Sequence, residues 1–132
     1  MPIALGRVLI VDEDAQGGAA IADVLGNAGY SAKVARCGRE GLRLIPLVLP
    51  DALVLGLELP DMPGSEVLAL VRKEHPDLPV VIVSTDRDLA VAVRLAGRTA
   101  FDYVAKPFLD GQLESSIGAA ITSMSVASKA RA

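Results

Sequence analysis

The sequence predicts an α/β domain in which a parallel sheet lies between two layers of helices, and three observations carry that reading. Five short apolar runs, at 7–11, 31–35, 52–55, 80–83 and 100–105, are separated by segments long enough for one amphipathic helix each. The runs Val8-Leu9-Ile10-Val11, Ala52-Leu53-Val54-Leu55 and Val80-Val81-Ile82-Val83 show no polar alternation, the pattern of strands covered on both faces. Tryptophan is absent and only Tyr30, Phe101, Tyr103 and Phe108 are aromatic, so the core has to be built from Val, Leu, Ile and Ala.

The elements follow in order. After the first strand, Asp14 is placed to cap a helix whose inner face includes Ala19, Ala22, Leu25 and Ala28, and Gly29 lets the chain turn. The second strand leads through Ala35-Arg36-Cys37-Gly38 into a helix containing Leu42-Arg43-Leu44-Ile45, which Pro46 is expected to end or kink. The third strand runs into the turn Leu59-Pro60-Asp61-Met62-Pro63-Gly64, after which Ser65, Leu68 and Val71 mark a helix stopped by His75-Pro76. Asp88 precedes Leu89, Val91, Ala92, Leu95 and Ala96, a fourth helix closed by Gly97. Leu113, Ile117, Ala120, Ile121 and Met124 have the spacing of a fifth helix face. Right-handed crossovers put such helices on both sides of the sheet, giving a doubly wound (βα)5 chain of three layers. In the flavodoxin-like strand order 2-1-3-4-5, the carboxyl ends of the first, third, fourth and fifth strands meet at one edge, where ligands gather.

Composition narrows the classes of function. A chain of 132 residues, 52% hydrophobic, supports one core, expected over 1–122, with the small-residue segment 123–132 as a flexible tail or the start of a linker. No run reaches the roughly 18 apolar residues that cross a bilayer, and the first residues lack the basic start of a secretory signal, so a cytoplasmic protein is expected. A net charge of −3 without a basic cluster gives little attraction for nucleic acid. The single Cys37 excludes an internal disulfide and a multi-cysteine metal site, and reads as a partly buried small side chain or a reactive thiol. His75, before Pro76 at a helix end, reads as a surface or capping residue.

Chemistry-bearing residues collect at the strand ends: Asp12-Glu13-Asp14 after the first, Gly56 at the third, Ser84-Thr85 after the fourth and Lys106-Pro107 after the fifth. Paired acids hold a divalent cation through oxygen, a hydroxyl donates to a transferred phosphoryl oxygen, and a lysine offsets its charge. The missing part is a third carboxylate to attack phosphorus, because glycine stands at 56. Glu58 lies on the same side of an extended strand as Gly56, and Asp61 follows in the loop. The same residues have plainer readings: Glu13 and Asp14 as a helix cap and a salt bridge to Lys106, Ser84-Thr85 as a cap for the next helix, Tyr103 as packing, Glu58 as an exposed charge. A glycine-rich phosphate loop and a nucleophile–base pair are both missing, which disfavours an enzyme or small-ligand domain on this scaffold.

Four runs in order resemble the receiver domain of two-component response regulators, from about residue 7 to 121. They are Val8-Leu9-Ile10-Val11-Asp12-Glu13-Asp14; the stretch from Asp51 through Gly56 to Leu59-Pro60-Asp61-Met62-Pro63-Gly64; Pro79-Val80-Val81-Ile82-Val83-Ser84-Thr85; and Ala100-Phe101-Asp102-Tyr103-Val104-Ala105-Lys106-Pro107-Phe108. The resemblance implies Glu13 and Asp14 as a magnesium-binding pair, with the backbone carbonyl of Glu58 as a further ligand. It implies Ser84 as the hydroxyl that senses phosphorylation, Tyr103 as a switch aromatic, and Lys106 as the site lysine, usually in a cis bond to Pro107. Two departures stand out: Gly56 falls at the phosphoacceptor aspartate, and Thr85 stands where a small alanine is usual. The expectation is an atypical, non-catalytic receiver that acts through protein contacts, with no required cofactor and at most weak magnesium binding. Its alternative is a phosphorelay receiver whose acceptor has been altered at 56 or replaced by a nearby acid. The resemblance also implies a partner such as a histidine kinase, another receiver or an output domain, and a homodimer or partner face made by the fourth helix, fifth strand and fifth helix. Leu89, Val93, Arg94, Asp102, Tyr103 and Glu114 would lie on that face.

Overall fold

The computed structural model describes residues 5–85, 94, 100–108 and 111–131. Five parallel strands, β1 (Arg7–Val11), β2 (Ser31–Ala35), β3 (Ala52–Gly56), β4 (Val80–Ser84) and β5 (Asp102–Ala105), form one sheet in the order β2-β1-β3-β4-β5. The helices are α1 (Ala15–Asn27), α2 (Gly38–Val48), α3 (Gly64–Glu74) and α4 (Gln112–Arg131). The helix expected over 88–97, with Leu89 and Val93, lies outside the described residues, except that Arg94 is helical and exposed. Helix α4 continues through 123–131, the segment expected as a tail.

Strand alternation sorts the core into two halves. Leu9, Val11, Leu53, Leu55, Val80 and Ile82 face Leu44 and Ile45 of α2 and Val67, Leu68 and Val71 of α3. Val8, Ile10, Val54, Val81, Val83 and Val104 face Ile21 and Leu25 of α1 and Leu113, Ile117 and Ala120 of α4. Each buried Val, Leu or Ile contributes about 1.5–3 kcal/mol relative to exposure, so the two apolar layers hold the sheet in register from both sides.

Two helix expectations are corrected. The inner face of α1 is Gly18, Ile21 and Leu25, whereas Ala19 is exposed and Ala22 only half-buried. Gly18 sets this rotation: a Cβ there would stand 2.9 Å from Val34 Cγ1, so the helix meets β2 at its smallest residue. Pro46 does not end α2, which runs to Val48. Its ring is exposed, and the ladder resumes where Leu49 N–H donates to the Ile45 carbonyl at 2.9 Å. Leu49 then ends the helix in the left-handed region, at φ 53°, with its side chain 64% exposed.

The loop between β3 and α3 is pinned at both ends. Gly64 N–H donates to the Leu57 carbonyl at 2.9 Å, and a Cβ on Gly64 would collide with the backbone of Gly56 and Leu57. Asp61 accepts from the N–H groups of Gly38 at 2.8 Å and Arg39 at 2.9 Å, tying the loop to the first turn of α2. Cys37, half-buried, caps the same helix, its Sγ accepting from Glu40 N–H at 3.5 Å. The Arg39 N–H, and then that of Gly38, hold the Asp61 carboxyl below its ordinary value of 3.8. Because the folded value is depressed, the link is in place above 3.8 and is lost as pH falls through that lower value.

Two outcomes are expected. Leu49→Gly relieves a left-handed leucine that packs little, and raises unfolding free energy by about 0.5–1 kcal/mol in chemical denaturation. Asp61→Ala frees the start of α2, so amide exchange at Gly38 and Arg39 accelerates at least about tenfold while the α3 amides hold their rates.

Candidate functional site

The crevice sits where β1, β3, β4 and β5 end. In the register Val11 pairs with Leu55, Gly56 with Val83 and Ser84 with Ala105, so the residues that follow arrive together. A cavity of about 200 Å³ is lined by Asp12, Glu13, Asp14, Gly56, Leu57, Glu58, Val83, Ser84, Thr85 and Lys106. All the acids, hydroxyls and the lysine expected at the strand ends are there. Asp61 does not line it, being spent on α2.

The carboxylate that sequence reading left out of the acidic pair is Asp12. It is 4% exposed, and its Oδ2 meets Lys106 Nζ at 2.6 Å. Asp12 N–H donates to the Ala35 carbonyl at 3.0 Å, one step beyond the β1–β2 ladder, which carries the side chain to the sheet edge. Its position directly after Val11 was the available signal. Asp14 is exposed and caps α1, accepting from Gln16 N–H at 3.1 Å, while Asp14 N–H donates to Asp12 Oδ1 at 3.1 Å. The plainer reading of the acids is therefore right about the cap, but the salt bridge to Lys106 comes from Asp12. Glu13 and Glu58 are exposed at the rim.

Ser84 is 5% exposed, and its Oγ has no hydrogen-bond partner among the described residues. Thr85 is exposed beside it. Lys106 N–H donates to the Ser84 carbonyl at 2.7 Å, and the Lys106–Pro107 bond is cis. These backbone links fix the lysine and the hydroxyl across from Asp12. Gly56 is buried with its backbone alone facing the crevice. A Cβ there would stand 3.3 Å from the Val11 carbonyl and 3.8 Å from Asp12 Cγ, so a side chain fits with a small adjustment and would stand against Asp12.

The donor set does not fit a tightly held magnesium ion. Asp12 is engaged by Lys106 and the Asp14 amide, Asp14 by the Gln16 amide, and Gly56 has no side-chain oxygen. Among the described residues no group of three His, Cys, Asp or Glu side chains could hold a metal. Glu13 and Glu58 at the rim show no hydrogen bond to their carboxylates among the described residues. The four carboxylates outnumber the single ammonium of the crevice, which leaves it formally anionic.

On the neighbouring face, Tyr103 is half-buried against the α2/α3 half of the core. Asp102 turns inward: Oδ1 accepts from Tyr103 N–H and Oδ2 from Ser116 Oγ, both at 2.8 Å. An open hollow of about 690 Å³ runs between β5 and α4 along Asp102, Tyr103, Ser115 and Ser116. Arg94 is exposed and Glu114 half-buried.

Residues 8–118 match the response regulator receiver domain family. The chain is 34% identical over 103 residues to the nitrogen assimilation regulatory protein NtrX of Azorhizobium caulinodans, covering 76% of this chain and 23% of that protein. It is 40% identical over 110 residues to the response regulator MprA of Mycolicibacterium vanbaalenii, covering 82% and 46%. The chain thus spans less than half of the length of these relatives. Among solved structures, NtrX from Brucella abortus in complex with ATP superposes with a TM-score of 0.90 at 25% identity, over 96% of this chain and 29% of that one. A CheY-like receiver domain protein from Methanospirillum hungatei gives 0.83 at 27% identity, over 92% and 98%. Receiver domains are signalling modules rather than enzymes. By sequence, by strand order and by the residues gathered at its sheet edge, this chain belongs to the response regulator receiver domain family.

Proposed function

We propose that this receiver domain signals through protein contacts without phosphorylation of an aspartate at the end of β3. The observation that carries the reading is Gly56, buried in the crevice where an added Cβ would stand 3.8 Å from Asp12 Cγ. Glycine supplies no nucleophilic oxygen. Asp12 is committed to Lys106 and Asp14 to the α1 cap, so neither is a free substitute, and a divalent cation is bound weakly and is not required. Glu13, the Glu58 carbonyl, Ser84, Thr85, Lys106 and Pro107 are then remnants of a receiver site. Residues 1–122 form the signalling unit, with 123–132 as its tail or the start of a linker. The partner is a histidine kinase, another receiver or an output domain. Contact runs through the β5/α4 face, where Asp102 and Tyr103 line the open hollow, with Arg94 and Glu114 proposed as further members of the face.

A second reading, a phosphorelay receiver whose acceptor has been altered at 56 or replaced by a nearby acid such as Glu58, is favoured by the buried Ser84 hydroxyl, which lacks a partner among the described residues and lies in the same cavity as Lys106. The relatives, which are response regulators, support it too.

One experiment separates the two. Incubated with magnesium and acetyl phosphate, the unaltered chain is expected to show no added phosphoryl group by intact mass, whereas Gly56→Asp takes one up when magnesium is present. An adduct on the unaltered chain would reverse the order of the readings. Because the new carboxylate stands against Asp12 and the Val11 carbonyl, Gly56→Asp is also expected to lower unfolding free energy by about 1–3 kcal/mol in urea titration. Arg94→Glu on the partner face is expected to weaken self-association or kinase capture at least about fivefold by sedimentation or pull-down, with the fold unchanged.

A further inference from the structure

The crevice carries a charge and a hydroxyl that its own side chains leave unanswered. Asp12, Glu13, Asp14 and Glu58 set four carboxylates around a cavity of about 200 Å³ whose one ammonium, on Lys106, is bonded to Asp12. Asp14 is occupied in capping α1, while the exposed Glu13 and Glu58 carboxylates have no hydrogen bond or ion pair among the described residues. Ser84 lines the same cavity, is 5% exposed, and its Oγ has no partner among the described residues. A buried hydroxyl without a partner is a cost that a ligand in the cavity removes.

The sign of a suitable ligand follows from the surroundings. A hydroxyl donates to an anion or accepts from a cation, so Ser84 by itself decides neither. The nearest atoms to a Cβ added at Gly56 are the Val11 carbonyl oxygen at 3.3 Å and then Asp12 Cα and Cγ at 3.8 Å. A group lying over the glycine is therefore flanked by a carbonyl and a carboxylate, both acceptors. A phosphoryl or carboxylate anion there would face four like charges and one ammonium that already has its counter-ion. A metal ion finds no group of three His, Cys, Asp or Glu side chains among the described residues. An ammonium ion asks less, being satisfied by acceptors at about 2.7–2.9 Å instead of the octahedron at about 2.0–2.1 Å that magnesium demands.

We propose that the crevice binds a primary aliphatic amine as its ammonium ion. The ammonium donates to the Ser84 oxygen at the cavity wall, and Glu13 and Glu58 at the rim supply the counter-charge. Gly56 provides the room, since a larger residue would take up the space beside Asp12. Lys106 is the internal precedent, an ammonium already held by Asp12 at 2.6 Å. A free diamine and a lysine side chain of a partner protein offer the same chemistry. The inference rests on the reading above that no phosphoryl group is carried at the end of β3, and it gives the retained acids and hydroxyl a ligand of the opposite charge.

Amide chemical shifts of the full chain are followed as putrescine, a short capped peptide with one lysine, sodium butyrate or inorganic phosphate is added. Both amines are expected to saturate shifts at Gly56, Glu58, Ser84 and Lys106, and to bind at least about tenfold more tightly than either anion. The tighter of the two amines identifies the source, free or protein-borne. Affinity for the amine is expected to fall at least about fivefold in Ser84→Ala and at least about tenfold when Glu13→Gln and Glu58→Gln are combined. Gly56→Ala changes no charge and fills the space over the glycine, and is expected to weaken binding about fivefold. The amide spectrum of each variant reports its fold in the same measurement. Anion binding as tight as amine binding, unchanged affinity in Ser84→Ala or Gly56→Ala, or shifts spread over acidic surface away from the crevice would overturn the proposal. Uptake of a phosphoryl group from acetyl phosphate by the unaltered chain would overturn the reading beneath it as well. Neither adduct nor amine binding would overturn this inference alone.

Discussion

Parallel pairing of β1, β3, β4 and β5 decides where every group of the crevice stands. Backbone hydrogen bonds fix Leu55 beside Val11, Val83 beside Gly56 and Ala105 beside Ser84, so Asp12 and Lys106 emerge at neighbouring points on the same edge. A one-residue slip of any strand would exchange its two buried faces, setting residues matched to α2 and α3 against α1 and α4. The cost of such a slip is spread over the whole core. The site is therefore only as variable as its side chains, and the backbone beneath them is held by residues that take no part in chemistry.

That division shows in the electrostatics. Asp12 is buried and Lys106 half-buried where they meet, and removing either would leave the other without its counter-charge. With Gly56 beside them, the pair is closed on itself: the ammonium answers Asp12, and among the described residues no second carboxylate forms an ion pair with it. The same geometry that would place an acceptor next to Asp12 makes the glycine a relief of like-charge crowding. The buried Ser84 hydroxyl is the piece that this closure does not satisfy.

The sheet was readable because a strand buried on both faces must be apolar throughout, and Val8 to Val11, Leu53 to Leu55 and Val80 to Val83 are. The crevice members were readable because they sit at the ends of those runs. The rotation of α1 was not: alanines and glycines recur around the helix, and nothing in their spacing shows that Gly18 is the point of close approach to Val34. Nor did Pro46 reveal that its ring faces solvent and leaves α2 intact. Asp12 was misjudged among three consecutive acids, since which of them turns inward depends on the step the backbone takes after leaving the β1–β2 ladder. The inward turn of Asp102 toward Ser116 joins residues fourteen apart in sequence, a pairing without a local signature.

The Asp61 bridge joins two regions that the chain order keeps apart. Its carboxylate clasps the start of α2, while its own backbone belongs to the loop that passes from Gly56 along the mouth of the crevice. A force on the outer surface of that helix thus has a mechanical route to the sheet edge, through two hydrogen bonds and a few residues of loop. The loop can thus be worked from the helix end as well as from the crevice end.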